Sequence, residues 1–303
     1  LATNILVIIN DNGMSISPTV GSMHEYLEAL SADEEEQYHK HRRAGIFEKF
    51  GFAYEGVFDG NDLAAMIAEL TKIKEMLRTQ SVILHVLTKK GKGYSFCEEN
   101  PEATHGIGVK PAAVSVEYSQ VLGEKLCELA ANDDKIVAVT AAMTGSLGLS
   151  PFFEKYPERA IDVGICEEHA TILCASMAAE GYKPYYAVYS TFLQRSFDEI
   201  VIDICSQNLP VTICIDRAGI SGADGETHQG VFDLSFLSFI PNLTVAVPKD
   251  KDEFAAMLEF SAGYMKPLAI RYPRACTHSF GGVSPVKEGT WEVLEEADSA
   301  VAV

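Results

Sequence analysis

The chain has 303 residues, of which 47% are hydrophobic and 22% are charged, and its net charge is −19 at pH 7. This apolar content is enough for large buried cores and excludes an intrinsically disordered chain. The acidic excess argues against binding to nucleic acid or to an anionic membrane, because both would repel the chain. An anionic ligand must therefore be held by a local cluster of basic side chains.

The cysteine pattern predicts the compartment of the protein, and the ends of the sequence predict that the chain is part of a longer one. Seven cysteines, odd in number and without C-x-x-C spacing, favour reduced core thiols in a cytoplasmic protein. No apolar run reaches the roughly 20 residues that span a bilayer, and the first residues lack the basic start of a signal peptide. Because a strand-like run stands at each end, we expect the chain to be the middle of a longer protein.

The first hundred residues alternate between strand and helix patterns. The predicted elements are a strand at 5–10, a helix near 22–30, a helix at 62–78 and a strand at 81–88. Asn61 is expected to start the helix at 62–78, and a helical pattern resumes at 46–52. The acidic and then basic run at 31–45 is predicted to be a solvated loop. Residues 95–116, with two prolines and little periodicity, are predicted to link two domains.

From residue 117 onward, helices and strands alternate regularly. The predicted helices are 117–131, 152–156, 167–181, 192–207 and 250–264, and the predicted strands are 135–140, 160–165, 184–190, 210–217, 243–248 and 267–272. Such apolar strands between helices indicate a parallel sheet covered on both faces. The sequence therefore predicts an α/β fold, with parallel sheets flanked by helices in two α/β domains. The predicted boundaries are a partial domain at 1–94, the linker at 95–116, a domain at 117–280 and the start of another at 281–303.

Polar or glycine-rich residues follow five of the predicted strands, where parallel sheets bind ligands. Each feature has a structural explanation when taken by itself. Glu167 could simply favour a helix start, and the glycine-rich loop at 219–230 could be a tight connection. Cys166, His169 and Cys174 match no common zinc spacing. Five polar strand ends along the chain nevertheless exceed what a purely structural sheet needs, and they favour a ligand site.

The motifs at these strand ends are specific in combination. Three segments, YSTFLQRSFDEI (189–200), DRAGISGADGETHQGVFDLSFL (216–237) and RYPRA (271–275), closely resemble the 1-deoxy-D-xylulose-5-phosphate synthases, thiamine-diphosphate enzymes of the transketolase superfamily. NDNGMSIS (10–17), FGFAYEGVFDGND (50–62), TKKGKGY (88–94) and ICEEHA (165–170) agree with this family in the same order. The resemblance covers nearly the whole chain apart from the charged stretch around 31–45.

The resemblance implies a thiamine-diphosphate-binding fold, a homodimer, and thiamine diphosphate and Mg²⁺ as cofactors. The implied activity is that of a transferase that condenses pyruvate with D-glyceraldehyde 3-phosphate and releases CO₂. The product would be 1-deoxy-D-xylulose 5-phosphate, made in the first step of non-mevalonate isoprenoid precursor synthesis and also used for thiamine and pyridoxal synthesis.

The resemblance also assigns roles to individual positions. The implied cofactor-binding residues are Asn12, Met14, Tyr94, Glu167 and Phe192, with Asn12 and the Met14 carbonyl as metal ligands. The implied substrate-binding residues are Tyr189, Arg195, Arg217, Asp224, His228 and Arg274. The implied catalytic residues are Glu167, His228 and His105. Glu167 matches the carboxylate that hydrogen-bonds the pyrimidine, and Glu168, where many relatives carry Gln, is expected to turn away from the cofactor.

Two alternatives stay open. A transketolase-like transferase of two-carbon units would share the 216–230 stretch loosely, and transfer from a ketose phosphate would identify it. A catalytically incomplete fragment or binding subunit is the second, because the family's metal-binding GDG motif would lie before Leu1. The family's N-terminal His and complete C-terminal domain are also absent from the 303 residues. The coding sequence upstream of Leu1 would decide the second alternative.

Overall fold

The computed structural model describes residues 3–16, 18–31, 45–102, 104–105, 116–282, 285–291, 293, 295–296 and 301–302. The chain divides into two compact units, Leu1–Ile107 and Gly108–Val303, and each unit has its own sheet and buried core. Most of the predicted loop at 31–45 lies outside the described residues, as do residues 106–115 of the predicted linker. The predicted domain boundaries stay predictions.

The first unit contains a parallel three-stranded sheet in the order β1–β3–β2. Its elements are β1 (Leu6–Asp11), α1 (Ser22–Ser31), α2 (Gly45–Lys49), β2 (Phe52–Asp59), α3 (Leu63–Met76), β3 (Ser81–Leu87) and α4 (Ser95–Glu99). The central strand β3 is buried over most of its length. Its residues Val82, Leu84 and Val86 pack with Ile73 of α3 as a small apolar core.

Two details of the first unit differ from the sequence-based expectation. Strand β2 was not predicted, because Glu55 and Gly56 interrupt its apolar pattern and its pairing with β3 is a tertiary contact. The prediction that Asn61 starts the next helix was wrong by one residue. Asp62 Oδ1 accepts hydrogen bonds from the N–H groups of Ala64 and Ala65 at 2.9 and 3.1 Å, which satisfies the first turn of α3.

The second unit contains a six-stranded parallel sheet in the order β5–β4–β6–β7–β9–β8. Its strands are β4 (Ile136–Thr140), β5 (Ala160–Asp162), β6 (Lys183–Tyr189), β7 (Thr212–Asp216), β8 (Thr244–Ala246) and β9 (Leu268–Arg271), and a separate antiparallel pair is formed by β10 (Glu295–Glu296) and β11 (Val301–Ala302). Its α-helices are α5 (Tyr118–Asn132), α6 (Ser150–Lys155), α7 (Glu167–Ala179), α8 (Ser190–Leu193), α9 (Phe197–Glu199), α10 (Asp233–Leu237) and α11 (Lys251–Ser261). The prediction of parallel sheets flanked by helices is confirmed.

The segment after β6 departs from the single amphipathic helix predicted at 192–207. A 3₁₀ turn at Gln194–Ser196 separates α8 from α9, and a π-helix follows at Ile200–Cys205. Apolar periodicity cannot distinguish these tighter and wider turns from α-helix, and both often occur at functional sites. Phe192 and Arg195 therefore lie in an irregular segment at the carboxyl end of a central strand.

Two further expectations concern the state of the cysteines and the presence of a membrane-spanning segment. All seven cysteines are free, and burial raises the pKa of Cys205 to about 12. Cys166 and Cys276 are exposed instead of lying in the core, because each follows a strand in a connecting segment. Among the described helices, none is both long and apolar enough to cross a membrane.

Candidate functional site

The sheet of the second unit brings four loops to one edge. Strands β4, β6, β7 and β9 are neighbours and parallel, so the segments that follow them begin side by side. Ligands of such sheets bind at this edge. Most of the predicted site residues of this unit lie in the loops that follow β6, β7 and β9.

Arg217 lies at this edge of the sheet and contacts residues from three of the four loops. It follows β7 directly, is buried, and has a left-handed backbone with φ of 57°, which is disfavoured for a residue with a Cβ. Its guanidinium lies 3.9 Å from the ring centroid of Tyr189. Its Nη1 lies 3.1 Å from Asp216 Oδ2 and donates to the Ser146 carbonyl at 3.3 Å. Its Nε lies 3.3 Å from Asp224 Oδ2.

Arg274, from the loop after β9, joins the same cluster through Asp224. The two side chains form an ion pair, so Asp224 bridges Arg217 and Arg274. The Arg274 side chain is 37% exposed whereas that of Arg217 is 6% exposed. Two guanidinium groups thus face two carboxylates, and burial raises the pKa of Asp216 to about 6 although Arg217 opposes the shift. The partly exposed Arg274 side chain therefore faces solvent, whereas Arg217 is enclosed within the cluster.

An aromatic group lines the arginine cluster. The Tyr189 and Phe192 rings stack with centroids 5.4 Å apart, and the His228 ring lies 5.1 Å from Phe192 and 5.9 Å from Tyr189. Tyr189 Oη donates to Ser146 Oγ at 2.5 Å. Burial, and then the charge of Arg217, lowers the pKa of His228. Its imidazole is therefore neutral at pH 7 and can accept or pass on a proton.

Gly230 closes the glycine-rich loop over this cluster. Its N–H donates to the Gly219 carbonyl at 2.8 Å, and the Gly219 N–H donates to the Gly230 carbonyl at 2.7 Å. A Cβ on Gly230 would lie 2.1 Å from the Arg217 carbonyl and 2.6 Å from Ser190 Oγ. Only glycine fits this position without moving the backbone of the arginine.

Glu167 forms a second polar cluster with Arg195. Glu167 is the first residue of α7 and its side chain is 3% exposed, while that of Arg195 is 54% exposed. Arg195 Nη1 donates to Glu167 Oε2 at 2.9 Å. The next residue, Glu168, is exposed, so the two adjacent side chains differ in burial, and the expectation that Glu168 turns away from the cofactor stays a prediction. A buried carboxylate at a helix start can accept a hydrogen bond from a ligand.

Two buried hydroxyl groups lie in the segment that follows β6. Ser190 Oγ and Thr191 Oγ1 are buried, and each is without a hydrogen-bond partner among the described residues. An unpaired buried hydroxyl costs about 1–3 kcal/mol. Such groups at a strand end are suited to a polar ligand.

The predicted residues of the first unit lie on its own loops. Asn12 follows β1, and its Oδ1 accepts a hydrogen bond from the Met14 N–H at 3.0 Å. Lys90 Nζ donates to the Ser15 carbonyl at 3.1 Å, which joins this loop to the segment after β3. An amide oxygen and a main-chain carbonyl are hard donors that suit Mg²⁺. Asn12 and Met14 can therefore supply part of a magnesium site.

Tyr94 and His105 make local contacts with residues close to them in the sequence. Tyr94 directly precedes α4, and its ring centroid lies 6.2 Å from that of Phe96. His105 is exposed, and its N–H donates to the Glu102 carbonyl at 3.1 Å. Within the part of the chain that the structure describes, no three His, Cys, Asp or Glu side chains form a metal-binding group. The roles of Tyr94 and His105 stay predictions.

Two residues of the arginine cluster were missed by sequence reasoning. Ser146 and Asp216 both contact Arg217, yet neither was singled out. Asp216 stands directly before Arg217 at the end of a strand, which is a usable signal. Ser146 lies in the loop after β4, and only the strand order shows that this loop meets the loop after β7.

Comparisons with known proteins agree with these observations. The model of the transketolase pyrimidine-binding domain matches residues 114–278, and the 1-deoxy-D-xylulose-5-phosphate synthase model matches residues 1–46 and 34–88. Proteins named 1-deoxy-D-xylulose-5-phosphate synthase from Clostridium perfringens and Carboxydothermus hydrogenoformans are 41% and 40% identical to the chain. They match over 99% and 100% of the chain and over 54% and 55% of their own lengths. The chain thus spans about half the length of these curated relatives.

Solved structures agree with the fold. A split-gene transketolase, solved as an inactive β4 tetramer, is 28% identical with a TM-score of 0.54 over 60% of each chain. A transketolase from Campylobacter jejuni is 15% identical with a TM-score of 0.52. It matches over 98% of this chain and 56% of its own length, and at this identity it shows the fold alone. The chain belongs to the 1-deoxy-D-xylulose-5-phosphate synthase family of transketolase-like proteins and contains the pyrimidine-binding domain.

Proposed function

We propose that the protein is a thiamine-diphosphate-dependent transferase that condenses pyruvate with D-glyceraldehyde 3-phosphate to give 1-deoxy-D-xylulose 5-phosphate and CO₂. The observation that carries the proposal is the meeting of Arg217 and Arg274 at Asp224, beside Tyr189 and His228. Two guanidinium groups on a chain of net charge −19 form a local site for an anion. Guanidinium forks suit phosphate oxygens, which favours a phosphorylated substrate.

The residues around Glu167 suit the pyrimidine end of thiamine diphosphate. The buried Glu167 carboxylate would accept a hydrogen bond from the pyrimidine ring, and Phe192 would stack on it. The unpaired hydroxyls of Ser190 and Thr191 would supply further polar contacts. The cofactor, when bound, supplies the nucleophilic carbon and the electron sink that decarboxylation of pyruvate requires.

The diphosphate end requires a divalent cation. Asn12 Oδ1 and the Met14 carbonyl would provide two oxygen ligands to Mg²⁺, a cation that prefers hard donors. Mg²⁺ in such a site is bound by few protein groups together with phosphate oxygens. Tyr94, at the end of the same group of loops, is proposed to contact the cofactor.

The arginine cluster would bind and orient the acceptor aldehyde. Arg217 and Arg274 would hold its phosphate, and Asp224 would face its hydroxyl group. His228, neutral at pH 7, would donate or accept a proton at the aldehyde oxygen through a neighbouring water or directly. His105 is proposed as a further proton-carrying residue. We also propose a cytoplasmic homodimer that acts in isoprenoid and thiamine precursor synthesis.

The proposed function can be tested by identifying the product that the whole protein makes from labelled pyruvate. With thiamine diphosphate, Mg²⁺ and [2-¹³C]pyruvate, we expect CO₂ release to depend on glyceraldehyde 3-phosphate. Carbon NMR should then show the label at C2 of 1-deoxy-D-xylulose 5-phosphate. Transfer of a two-carbon unit from xylulose 5-phosphate, without use of pyruvate, would contradict the proposal and identify a transketolase-like activity.

A further inference from the structure

The loop at 141–149, between β4 and α6, supports the arginine cluster without carrying any of its charges. The main-chain carbonyl of Ser146, in this loop, accepts a hydrogen bond from Arg217 Nη1 at 3.3 Å. The Ser146 hydroxyl accepts from Tyr189 Oη at 2.5 Å. One serine thus contacts both the buried guanidinium and the ring that lies against it. The loop is therefore one of the contacts, together with Asp216, Asp224 and Tyr189, that orient the Arg217 guanidinium.

Asp162 holds the beginning of this loop. It is the last residue of β5, and its Oδ1 accepts from the N–H groups of Ala142 and Gly164 at 2.7 and 3.0 Å. Its Oδ2 accepts from the Thr144 hydroxyl at 2.9 Å. Ala142 has φ of 60°, a left-handed conformation that is disfavoured for alanine. The carboxylate stabilises this bend with three hydrogen bonds, two of them to the loop.

The other end of the loop is fixed by backbone packing. A Cβ on Gly123 of α5 would lie 1.9 Å from the Gly148 carbonyl oxygen, so two glycines allow the loop to lie against the helix. The Leu149 N–H donates to the Thr144 carbonyl at 3.0 Å and closes the loop on itself. Ser146 therefore stands between one end held by Asp162 and another end held by α5.

We propose that Asp162 is a positioning residue for the phosphate of the acceptor substrate, acting through the 141–149 loop on Ser146 and then on Arg217. The inference rests on the proposed function for the identity of the phosphorylated substrate. Asp162 does not touch the ligand in this role. Its loss changes the orientation of the arginine, and therefore affects phosphate binding more than the steps that involve pyruvate.

Three variants of the whole protein test this role. Asp162→Ala removes all three hydrogen bonds, whereas Asp162→Asn keeps the Oδ1 acceptor and offers an amide N–H₂ to the Thr144 oxygen. Thr144→Val removes only the bond to Oδ2. Asp134→Ala, at an exposed position, is the control for the loss of one negative charge. Circular dichroism and thermal unfolding verify the fold of each variant.

We expect Asp162→Ala to raise KM for glyceraldehyde 3-phosphate about tenfold, because the variant loses both hydrogen bonds that hold the 141–149 loop. Its kcat and its KM for pyruvate should stay within about twofold of the wild type. Asp162→Asn and Asp134→Ala should behave like the wild type, and Thr144→Val should raise the acceptor KM about twofold. Affinity for inorganic phosphate, measured by calorimetry, should fall in parallel with the rise in acceptor KM.

The outcomes separate the role of Asp162 from the proposed function. Equal losses for both substrates in Asp162→Ala, or an Asp162→Asn variant as impaired as Asp162→Ala, would overturn the role of Asp162. If the wild type made no product, the proposed function would fail. Phosphate affinity would then still test Asp162, because unchanged affinity in Asp162→Ala and Thr144→Val would contradict its role.

Discussion

Two polar clusters of the second unit differ in how their charges are arranged. Around Glu167, one buried carboxylate is paired with one half-exposed arginine, Arg195. Around Arg217, two arginines share two carboxylates, and Asp224 bridges both guanidinium groups. A single buried carboxylate is suited to act on a reacting group, whereas the exposed guanidinium of Arg274 can donate hydrogen bonds to an anion. The first cluster should therefore control turnover and the second should control affinity.

The largest effect should come from Glu167→Ala. Loss of the buried carboxylate should lower kcat roughly a thousandfold, within the range of general acid–base contributions, with the thermal unfolding temperature nearly unchanged. The measurement is kcat at saturating cofactor and both substrates. Glu168→Ala, which removes the adjacent exposed carboxylate, is the matched control and should stay within about twofold. Substantial turnover by Glu167→Ala would refute its role.

Arg274→Ala should have the next largest effect, and on affinity instead of turnover. Hydrogen bonds to charged groups contribute about 1.5–3 kcal/mol, so KM for glyceraldehyde 3-phosphate should rise roughly 10- to 100-fold. KM for pyruvate should remain nearly constant. Arg78→Ala is the control, because Arg78 is an exposed arginine paired with Glu75 in the other unit. An equal rise for both substrates would argue against a phosphate site at Arg274.

Arg195→Met decides to which cluster this arginine belongs. The sequence-based expectation makes Arg195 a substrate ligand, but its described ion pair is with Glu167. Loss of that pair should lower kcat about tenfold, roughly one charged hydrogen bond, and leave KM for the acceptor within about twofold. If the acceptor KM instead rose as in Arg274→Ala, Arg195 would belong with the phosphate-binding arginines.

A separate effect, on stability instead of on catalysis, should appear in the pH dependence of unfolding. Burial raises the pKa of Asp216 from an ordinary value of 3.8 to about 6, so between these values the folded state binds more protons than the unfolded state. The free energy of unfolding should therefore decrease as pH rises from about 4 through 6, by up to about 3 kcal/mol from this group.

Asp216→Asn isolates this contribution. We expect urea unfolding of the wild type and of Asp216→Asn to diverge between pH 4 and pH 7, with the wild type losing stability relative to the variant. A difference between the two proteins that is constant over this range would show that Arg217 keeps Asp216 ionised throughout. The arginine cluster would then contain two permanent negative charges.

The regular elements were largely predictable because they depend on local patterns. The apolar strands of the second unit alternate with helices, and these strands form the parallel sheet that was expected. The failures occurred where local pattern is weak. Strand β2 contains Glu55 and Gly56 and is defined by its pairing with β3. The 190–205 segment combines α, 3₁₀ and π turns, which share similar apolar spacing.

The candidate site was predictable as a set of positions but not as a set of contacts. Motifs at the strand ends identified Arg217, Asp224 and Arg274, all of which meet in one cluster. The same motifs did not indicate that Arg195 pairs with Glu167. They also gave no sign of Ser146, because its loop carries no distinctive motif and its role depends on its distance from other loops.

The α/β class, the family and the strand ends that carry polar residues were predictable from the sequence, because these properties follow from hydrophobic periodicity and from short contiguous motifs. The contacts between these residues are visible only in the three-dimensional structure: Asp224 lies between two arginines, Ser146 contacts Arg217 and Tyr189, and Asp162 binds the 141–149 loop. These contacts join loops that follow different strands, and the loops meet because β4, β6, β7 and β9 are neighbours. Strand order is a property of global packing, and no local pattern specifies it.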